Sequence, residues 1–392
     1  MRYYTAMPTF VTDERSRLTL LLLRRLTSPS LALKVLQRKA ARTGTNIDGE
    51  LMARKAEGVA SAVESGLGYW NTQNQSLNST LLSRYYAIVQ FTIAEQVATL
   101  TNSDDLKAIQ SHTRKGHGLA SFLLEGDGPF PENQSVAMVS DGHFAEYFRS
   151  LGFPSQEMAM VRPKKEPVPR VGDVLSKSAS FSDLFRRIPE LRQIIQDHLG
   201  VKPLVMSVSY ANELSYPQEI AEIRRQLDVD TQMPGDDAAN TSTNLMLIPE
   251  DGVTYSIEEV RALKLGIENI IETKIQNEQV FMGKHKHATK FWHESLKPYK
   301  SQMSGMSLIE PLWGHLRDPY FIHILILYGL SIAVRYLPDV WHEIVSGRLD
   351  ALRSLIDFYL NVVDALVPGN ALERITGESF LIEQSGSIFA PI

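Results

Sequence analysis

An arginine and a histidine six positions apart, Arg317 and His323, are the residues of this chain best placed by type and spacing to do chemistry. Arg317 precedes Asp318-Pro319, a capping residue followed by a proline suited to a first helical position, so the spacing predicts a helix opening at Pro319. Arg317 then lies just outside that helix and can fold back over its first turns, while His323 projects from the second turn. A guanidinium and an imidazole that converge at a helix start make a phosphate-binding and acid/base pair. The arginine stabilises developing negative charge and the histidine moves protons near neutrality. The N-terminal amides of the helix add anion affinity. The plain alternative is a buried histidine with one hydrogen bond and an arginine spent on a salt bridge.

A second such pair is Arg335 and His342. Seven positions place them on one face of an unbroken helix, but Pro338 interrupts the register. Arg335 follows a strongly apolar run, so it is expected to be part-buried with a carboxylate or carbonyl partner, and a structural staple is the favoured role. His117, flanked by Gly116 and Gly118, joins Arg335 and His342 as a structural or secondary site. His285 and His287 face the same way only on a strand, and their lysine neighbours argue against a metal. No metal or cofactor is expected. The sequence contains no GxxxxGK[ST], no GxGxxG opening a helix, no HExxH and no GxSxG.

Two basic stretches can contact phosphates. Residues 1–44 carry nine Arg and Lys, including Arg24 and Arg25, against two Asp and Glu, for a net +7. Lys284, Lys286, Lys290, Lys297 and Lys300 alternate with His285, His287, His293, Phe291 and Trp292. Cations interleaved with aromatics suit nucleic acid, through phosphate contacts and base stacking, although a solvated helix face reads the same way.

The elements that must position these residues are mostly helices. Residues 14–27 and Leu31 to Ala41 read as two short basic helices, and Asp48 caps a third with its stripe at Met52, Ala56, Val59, Val63 and Leu67. Leu81 to Leu100 is a strong helix. Ser135 to Val139 reads as a strand, His143 to Leu151 and Phe181 to Leu199 (capped by Ser182) as helices. A Pro/Lys-rich linker lies between, at Arg162 to Pro169. Leu204 to Tyr210 and Leu245 to Ile248 read as strands, with a helix at Pro217 to Leu227 and a polar loop at Met233 to Asn244. From Ser256 the capping-box spacing predicts a helix running to about Phe281. Further helices open at Pro319 and Pro338, and a last one covers Leu349 to Leu366, ending before Pro368-Gly369. The expected fold is mainly α, a multi-helix bundle with a small α+β insertion in the middle of the chain. The expected segments are 1–46, a basic N-terminal helical part; 47–160, a first helical part; 161–255, linker and insertion; and 256–392, a C-terminal helical part carrying the Arg/His motifs.

Bulk composition narrows the class. With 392 residues, 43% hydrophobic and 22% charged, the chain can bury a large core and is not a disordered polyampholyte. There is no cysteine, which excludes disulfides, thiolate metal sites and cysteine nucleophiles. The apolar run Leu18 to Leu23 is far too short for a signal-peptide core. Pro319 to Val334 is about one turn short of a membrane span and contains a histidine, so a buried helix is expected. A cytoplasmic protein that does not engage a membrane is expected. Net charge is −5, so any polyanion binding must be local.

Three segments together resemble the YaaC-like family of bacterial proteins: SRYYAIVQFTIAEQV (Ser83 to Val97), KGHGL (Lys115 to Leu119) and ILYGLSIAVRYLPDVWHEIVSG (Ile326 to Gly347). The resemblance covers roughly residues 50–365 and informs the fold more than the function. A looser resemblance is to HEPN-type helical domains, many of them metal-independent ribonucleases, whose motif is an arginine, four to six residues, then a histidine. Arg317 to His323 is similar to it. Arg335 to His342 has the spacing but departs at Tyr336 and Pro338. That resemblance implies a ribonuclease, with a toxin or anti-phage defence role, whose Arg and His support attack of a ribose 2′-hydroxyl on the adjacent phosphate across a homo-oligomer. The competing expectation is a non-catalytic module binding RNA, DNA or a partner protein in a larger complex; a scaffold without nucleic-acid affinity is a third.

Overall fold

The computed structural model describes residues 9–11, 14–72, 76–123, 130–154, 177–210, 241–287, 291–301 and 303–383. The chain is mainly α. It divides into two compact units, Met1–Ala179 with His323–Ile392, and Ser180–Ile322.

The first unit begins with β1 (Thr9–Val11), which pairs in parallel with β11 (Leu381–Glu383) near the other end of the chain. Helices α1 (Arg15–Arg25), α2 (Pro29–Thr43), α3 (Gly49–Trp70) and α4 (Leu77–Val97) follow. Their boundaries have local causes. Pro29 sits at the first position of α2 and Gly44 closes it at φ 67°. The Asp48 carboxylate accepts from the Leu51 amide at 3.0 Å to start α3. The α3–α4 pair is tight because Gly66 has no side chain: a Cβ there would come within 2.6 Å of the Phe91 ring. Lys55 is fully buried between them, with four oxygen partners including the Val97 and Thr99 carbonyls, and desolvation lowers its pKa to about 8.

Next come α5 (Leu106–Thr113), β2 (Leu119–Leu123), β3 (Gln134–Met138), α6 (His143–Ser150) and β4 (Ser178–Ser180), with a sheet order β2-β3-β4. The unit is completed by α11 (Pro319–Tyr336, from His323 on), α12 (Pro338–Ser346) and α13 (Asp350–Thr376). By length and composition α11 could cross a membrane, but 78% of its apolar window is buried inside the protein. The expected stop before Pro368 does not occur. Val367, Ala371, Leu372 and Ile375 are all buried, and this apolar face carries α13 through the proline. Arg84 ties α4 to α13: its Nε and Nη2 meet both Asp364 carboxylate oxygens at 2.5 and 3.2 Å, and its guanidinium lies 4.4 Å over the Trp70 ring.

The second unit contains α7 (Phe181–Phe185), α8 (Arg192–Leu199), α9 (Ile257–Ala262), α10 (Trp292–Leu296) and a six-stranded sheet. Its strands are β5 (Val205–Tyr210), β6 (Thr241–Ile248), β7 (Glu268–Ile275), β8 (Glu278–His287), β9 (Tyr299–Ser301) and β10 (Gly305–Ile309), in the antiparallel order β7-β8-β6-β5-β10-β9. One face packs a core of Leu245, Leu247, Phe281, Val260, Leu265 and Trp292.

Here the structure corrects three expectations. The helix from Phe181 to Leu199 is broken, because Pro189 holds Ile188 in an extended conformation at φ −90°, ψ 110°; its cap is Ser180, not Ser182. The capping box at Ser256 is real but opens only the six-residue α9. Lys264 at φ 49° and Gly266 at φ 82° then turn the chain into the β7–β8 hairpin, where a helix to Phe281 was expected. Residues 256–318 supply four of the strands of this compact unit. The expected linker at 162–169, the helix at 217–227 and most of the loop at 233–244 lie outside the described residues.

Candidate functional site

The Arg317 and His323 side chains are each engaged within their own compact unit. Arg317 donates Nη2 to the Lys264 carbonyl at 2.9 Å and Nη1 to the Leu265 carbonyl at 3.3 Å, bracing the turn that follows α9. Asp318 does cap the helix, its Oδ1 accepting from the Tyr320 amide at 2.9 Å. His323 is fully buried. Its Nδ1 lies 3.3 Å from the Tyr359 hydroxyl, its Nε2 has no partner among the described residues, and burial pushes its pKa down to about 3. It is therefore neutral and enclosed at physiological pH.

A different arginine and histidine are gathered by three segments far apart in sequence. Arg335, in the last turn of α11, donates Nε to the Ser331 carbonyl at 2.9 Å and Nη2 to the Ser331 hydroxyl at 3.1 Å. Its Nη1 reaches the Tyr86 hydroxyl on α4 at 3.4 Å. Ser331 in turn donates to the Tyr328 carbonyl at 2.6 Å. The Tyr328 hydroxyl donates to the Leu119 carbonyl at 2.9 Å, holding α11 against the loop that carries His117. The His117 ring lies edge-on to Tyr85 at 5.5 Å and tilted toward Tyr328 at 6.1 Å. Partial burial among these rings, then the charge of Arg335, hold its pKa below 6.5. Its residue surface nonetheless remains exposed, and its ring nitrogens have no hydrogen-bond partner among the described residues.

The loop conformation of His117 is set by its glycines. Gly118 has φ +77°, and a Cβ on it would come 2.7 Å from the Phe144 amide nitrogen. Gly142 has φ +103°, with the Gly118 nitrogen only 2.6 Å from where its Cβ would be. This close approach lets the His143 and Phe144 amides donate to the Gly116 and His117 carbonyls at 3.0 and 2.9 Å. His143, beside this loop, is fully buried against the Thr92 hydroxyl at 3.0 Å, and its pKa falls to about 4.

Around Arg335 the surface is aromatic. Tyr69 stacks on Tyr86 at 5.4 Å and is 42% exposed, while Tyr336 is 65% exposed with the Arg335 guanidinium 5.1 Å from its ring. A cation, a neutral imidazole, a phenol hydroxyl and open aromatic faces can together hold an anionic group, take up a proton and stack a planar ring. Spacing along the chain does not reveal Tyr69, Tyr86, Tyr328 or Ser331 as partners. The only sequence signal is that Tyr86, His117, Tyr328 and Arg335 fall in the three family-like segments.

The remaining candidates are dispersed. His342 is exposed on α12 and lines a cleft of about 690 Å³. Arg24 and Arg25 are exposed in the last turn of α1. Lys284 and Lys286 lie on β8, with Lys286 3.6 Å from Glu268; Lys290 is outside the described residues. The Lys284 to Lys300 stretch is thus no single helix face, since strand, α10 and β9 divide it. His285 and His287 do face the same way on β8, with rings stacked at 5.8 Å. Each has its own acceptor or donor, the Gly266 carbonyl at 2.8 Å and the Thr243 hydroxyl at 2.8 Å. Among the described residues no group of three His, Asp or Glu is arranged to hold a metal.

Compared with known proteins, residues 24–375 match the family described as YaaC-like Protein. No curated protein and no solved structure matches the chain.

Proposed function

We propose, from the premise that this chain belongs to the YaaC-like family, that it is a metal-independent ribonuclease acting on single-stranded RNA at the Arg335 cluster. The observation that carries the reading is one cluster drawn from three separate segments: Arg335 reaches the Tyr86 hydroxyl at 3.4 Å, and His117 packs on the neighbouring Tyr85 at 5.5 Å and on Tyr328 at 6.1 Å, where the Arg335 charge acts on it. In the proposed reaction Arg335 binds the scissile phosphate, and neutral His117 takes the proton of the adjacent ribose 2′-hydroxyl. The 2′-oxygen attacks phosphorus and the bond to the 5′-oxygen breaks. The Tyr86 hydroxyl, held against Arg335, protonates the leaving oxygen. The products are a 2′,3′-cyclic phosphate and a 5′-hydroxyl, and solvent exchange resets both groups. Tyr69 and Tyr336 offer faces on which flanking bases stack.

This reading keeps the chemistry of HEPN-type helical bundles but assigns it to Arg335 and His117 rather than to Arg317 and His323, whose partners are internal. The setting proposed with it is cytoplasmic, as a toxin or anti-phage effector, assembled as a homo-oligomer or with a partner protein.

The test is cleavage of an end-labelled single-stranded RNA in EDTA by wild type, Arg335→Ala, His117→Ala, Arg317→Ala and His323→Leu. The expected result is cyclic-phosphate products from wild type, at least about a hundredfold slower for the first two variants, with circular dichroism unchanged. Loss confined to Arg317→Ala and His323→Leu would return the site to the start of α11. Salt-sensitive RNA binding without product would instead support the non-catalytic module, with Arg24, Arg25, Lys284 and Lys286 as phosphate contacts.

A further inference from the structure

Arg335 is part-buried, yet among the described residues no carboxylate pairs with it, and none acts on His117 or Tyr85 beside it. Arg84, two residues before Tyr86 on α4, has the ordinary arrangement: it is spent on both Asp364 oxygens and on the Trp70 carbonyl. Desolvating a charge is costly, so a part-buried cation is normally balanced by a carboxylate. Arg335 has only neutral acceptors, which leaves its countercharge to an anion from outside. Ser331 decides how the cation is presented. One turn before Arg335 in α11, it is fully buried and donates its hydroxyl proton to the Tyr328 carbonyl at 2.6 Å. The Oγ lone pairs are thereby turned to Arg335 Nη2 at 3.1 Å, while the Ser331 carbonyl takes Nε at 2.9 Å. The Nε–H and the adjacent Nη2–H form one edge of the guanidinium, and a single residue occupies that whole edge. Nη1 spends one hydrogen on the Tyr86 hydroxyl at 3.4 Å. Of the five N–H groups of an arginine, this leaves one on Nη1 and one on Nη2 without a partner among the described residues.

We infer that Ser331 is the positioning residue of an anion site whose ligand is one phosphodiester group, held through two oxygens by the free Nη1 and Nη2 hydrogens. Two parallel bonds to one phosphate need a guanidinium fixed in orientation. An arginine released from Ser331 loses that pre-organisation, and a lysine has no fork to orient. The ligand class follows from charge and surroundings. A diester carries one negative charge, which one guanidinium balances. It also carries a base on either side, for which Tyr69 and Tyr336 offer open ring faces. What happens to the phosphodiester after binding rests on the ribonuclease reading; the binding itself does not.

A double-mutant cycle on the full chain tests it, with a fluorescent single-stranded 2′-deoxy oligonucleotide as probe, since this carries phosphodiesters but no 2′-hydroxyl to react. Fluorescence anisotropy measures binding by wild type, Ser331→Ala, Arg335→Lys and the double variant, with urea unfolding as the check on folding. Alanine is a good helix former, so Ser331→Ala should remain folded. It is expected to weaken binding about tenfold in the wild-type background and less than about twofold on top of Arg335→Lys. Ser331→Thr keeps the hydroxyl and its bond to the preceding turn, and should bind within about threefold of wild type. Unchanged binding by Ser331→Ala, or an equal loss in both backgrounds, overturns the positioning role. Adding a 5′-phosphate to the probe should raise its affinity less than about threefold; a larger gain assigns the fork to a terminal phosphate and overturns the diester. The same variants are then assayed for RNA cleavage. Coupled binding without any cleavage keeps the Ser331–Arg335 site and removes the ribonuclease. Cleavage that needs Arg335 and His117 but not Ser331 keeps the ribonuclease and removes the positioning role.

Discussion

The Tyr328 hydroxyl donates to the carbonyl of Leu119 at 2.9 Å, and both groups are buried. This one bond fastens the middle of α11 to the loop two residues beyond His117. Because Tyr328 also accepts from Ser331, and Ser331 from Arg335, the bond sets both candidate reacting groups in one frame.

Removing that hydroxyl should loosen the frame more than it weakens the fold. Tyr328→Phe keeps the ring that packs on Tyr85 at 5.7 Å but leaves the Leu119 carbonyl without its donor. The expected cost is about 1–3 kcal/mol, the range for a buried acceptor left unpaired. Urea unfolding gives this value, and hydrogen exchange should show faster exchange across residues 116–120 with little change in α3. An unchanged midpoint and unchanged exchange would mean that the bond does not hold the loop.

The proximity of Arg335 to His117 makes a second expectation. Burial lowers the His117 pKa first and Arg335 adds to it. Arg335→Ala should therefore raise it part of the way toward 6.5, not fully. Arg335→Lys should restore most of the lowering. Proton NMR titration of the His117 ring reads this directly; an identical pKa in wild type and Arg335→Ala would separate the two residues and remove the basis of the proposed pairing.

Short-range signals were legible and long-range ones were not. Asp48, Asp318 and the Ser256–Glu259 capping box each act within one helical turn, and each does what its residue type implies. The capping box nonetheless misled about length, because nothing in it records that Lys264 takes φ 49° two residues past the end of the six-residue helix. The strands beyond it bury Ile270 and Ile275 on a bulged, irregular alternation that resembles helical spacing over short windows. The same limit applies to the site. Arg317 and His323 are conspicuous because they are near in sequence, yet their partners are Lys264, Leu265 and Tyr359. His117 and Arg335 become neighbours only through the packing of α4, α11 and a glycine-bent loop. Their segments were nevertheless recognisable together as family-like.

Arg317 should behave as a brace of its own unit. Its two hydrogen bonds to the Lys264 and Leu265 carbonyls support a turn with a left-handed, non-glycine residue, a conformation that costs about 1 kcal/mol or more without compensation. Arg317→Ala is expected to lose about 1–3 kcal/mol of stability, while the rate of RNA cleavage per folded molecule stays as in wild type. Thermal unfolding with the activity assay run well below the transition decides between this and a catalytic role. Full stability with abolished cleavage would defeat the brace.

The buried histidines make the fold sensitive to acid in a calculable direction. His323 and His143 have folded pKa values of about 3 and about 4, depressed chiefly by burial, against 6.5 for an unperturbed imidazole. Above pH 6.5 both folded and unfolded chains carry them neutral, and no stability depends on pH through them. Below pH 6.5 the unfolded chain takes up protons that the folded chain refuses. Each histidine then removes about 1.4 kcal/mol per pH unit until its folded pKa is reached. His323→Leu deletes one such group at a site where, among the described residues, the imidazole's polar contact is a 3.3 Å bond to the Tyr359 hydroxyl. The substitution should therefore flatten the decline in unfolding free energy between pH 6.5 and 4.5 by about 1.4 kcal/mol per unit, and make the variant relatively more stable at pH 5 than at pH 7. Urea titrations at half-unit intervals measure the slope. If the slope is the same with and without His323, the imidazole is protonated in the folded state near pH 6 and must be open to solvent, which would bring the Arg317–His323 pair back as a candidate for chemistry.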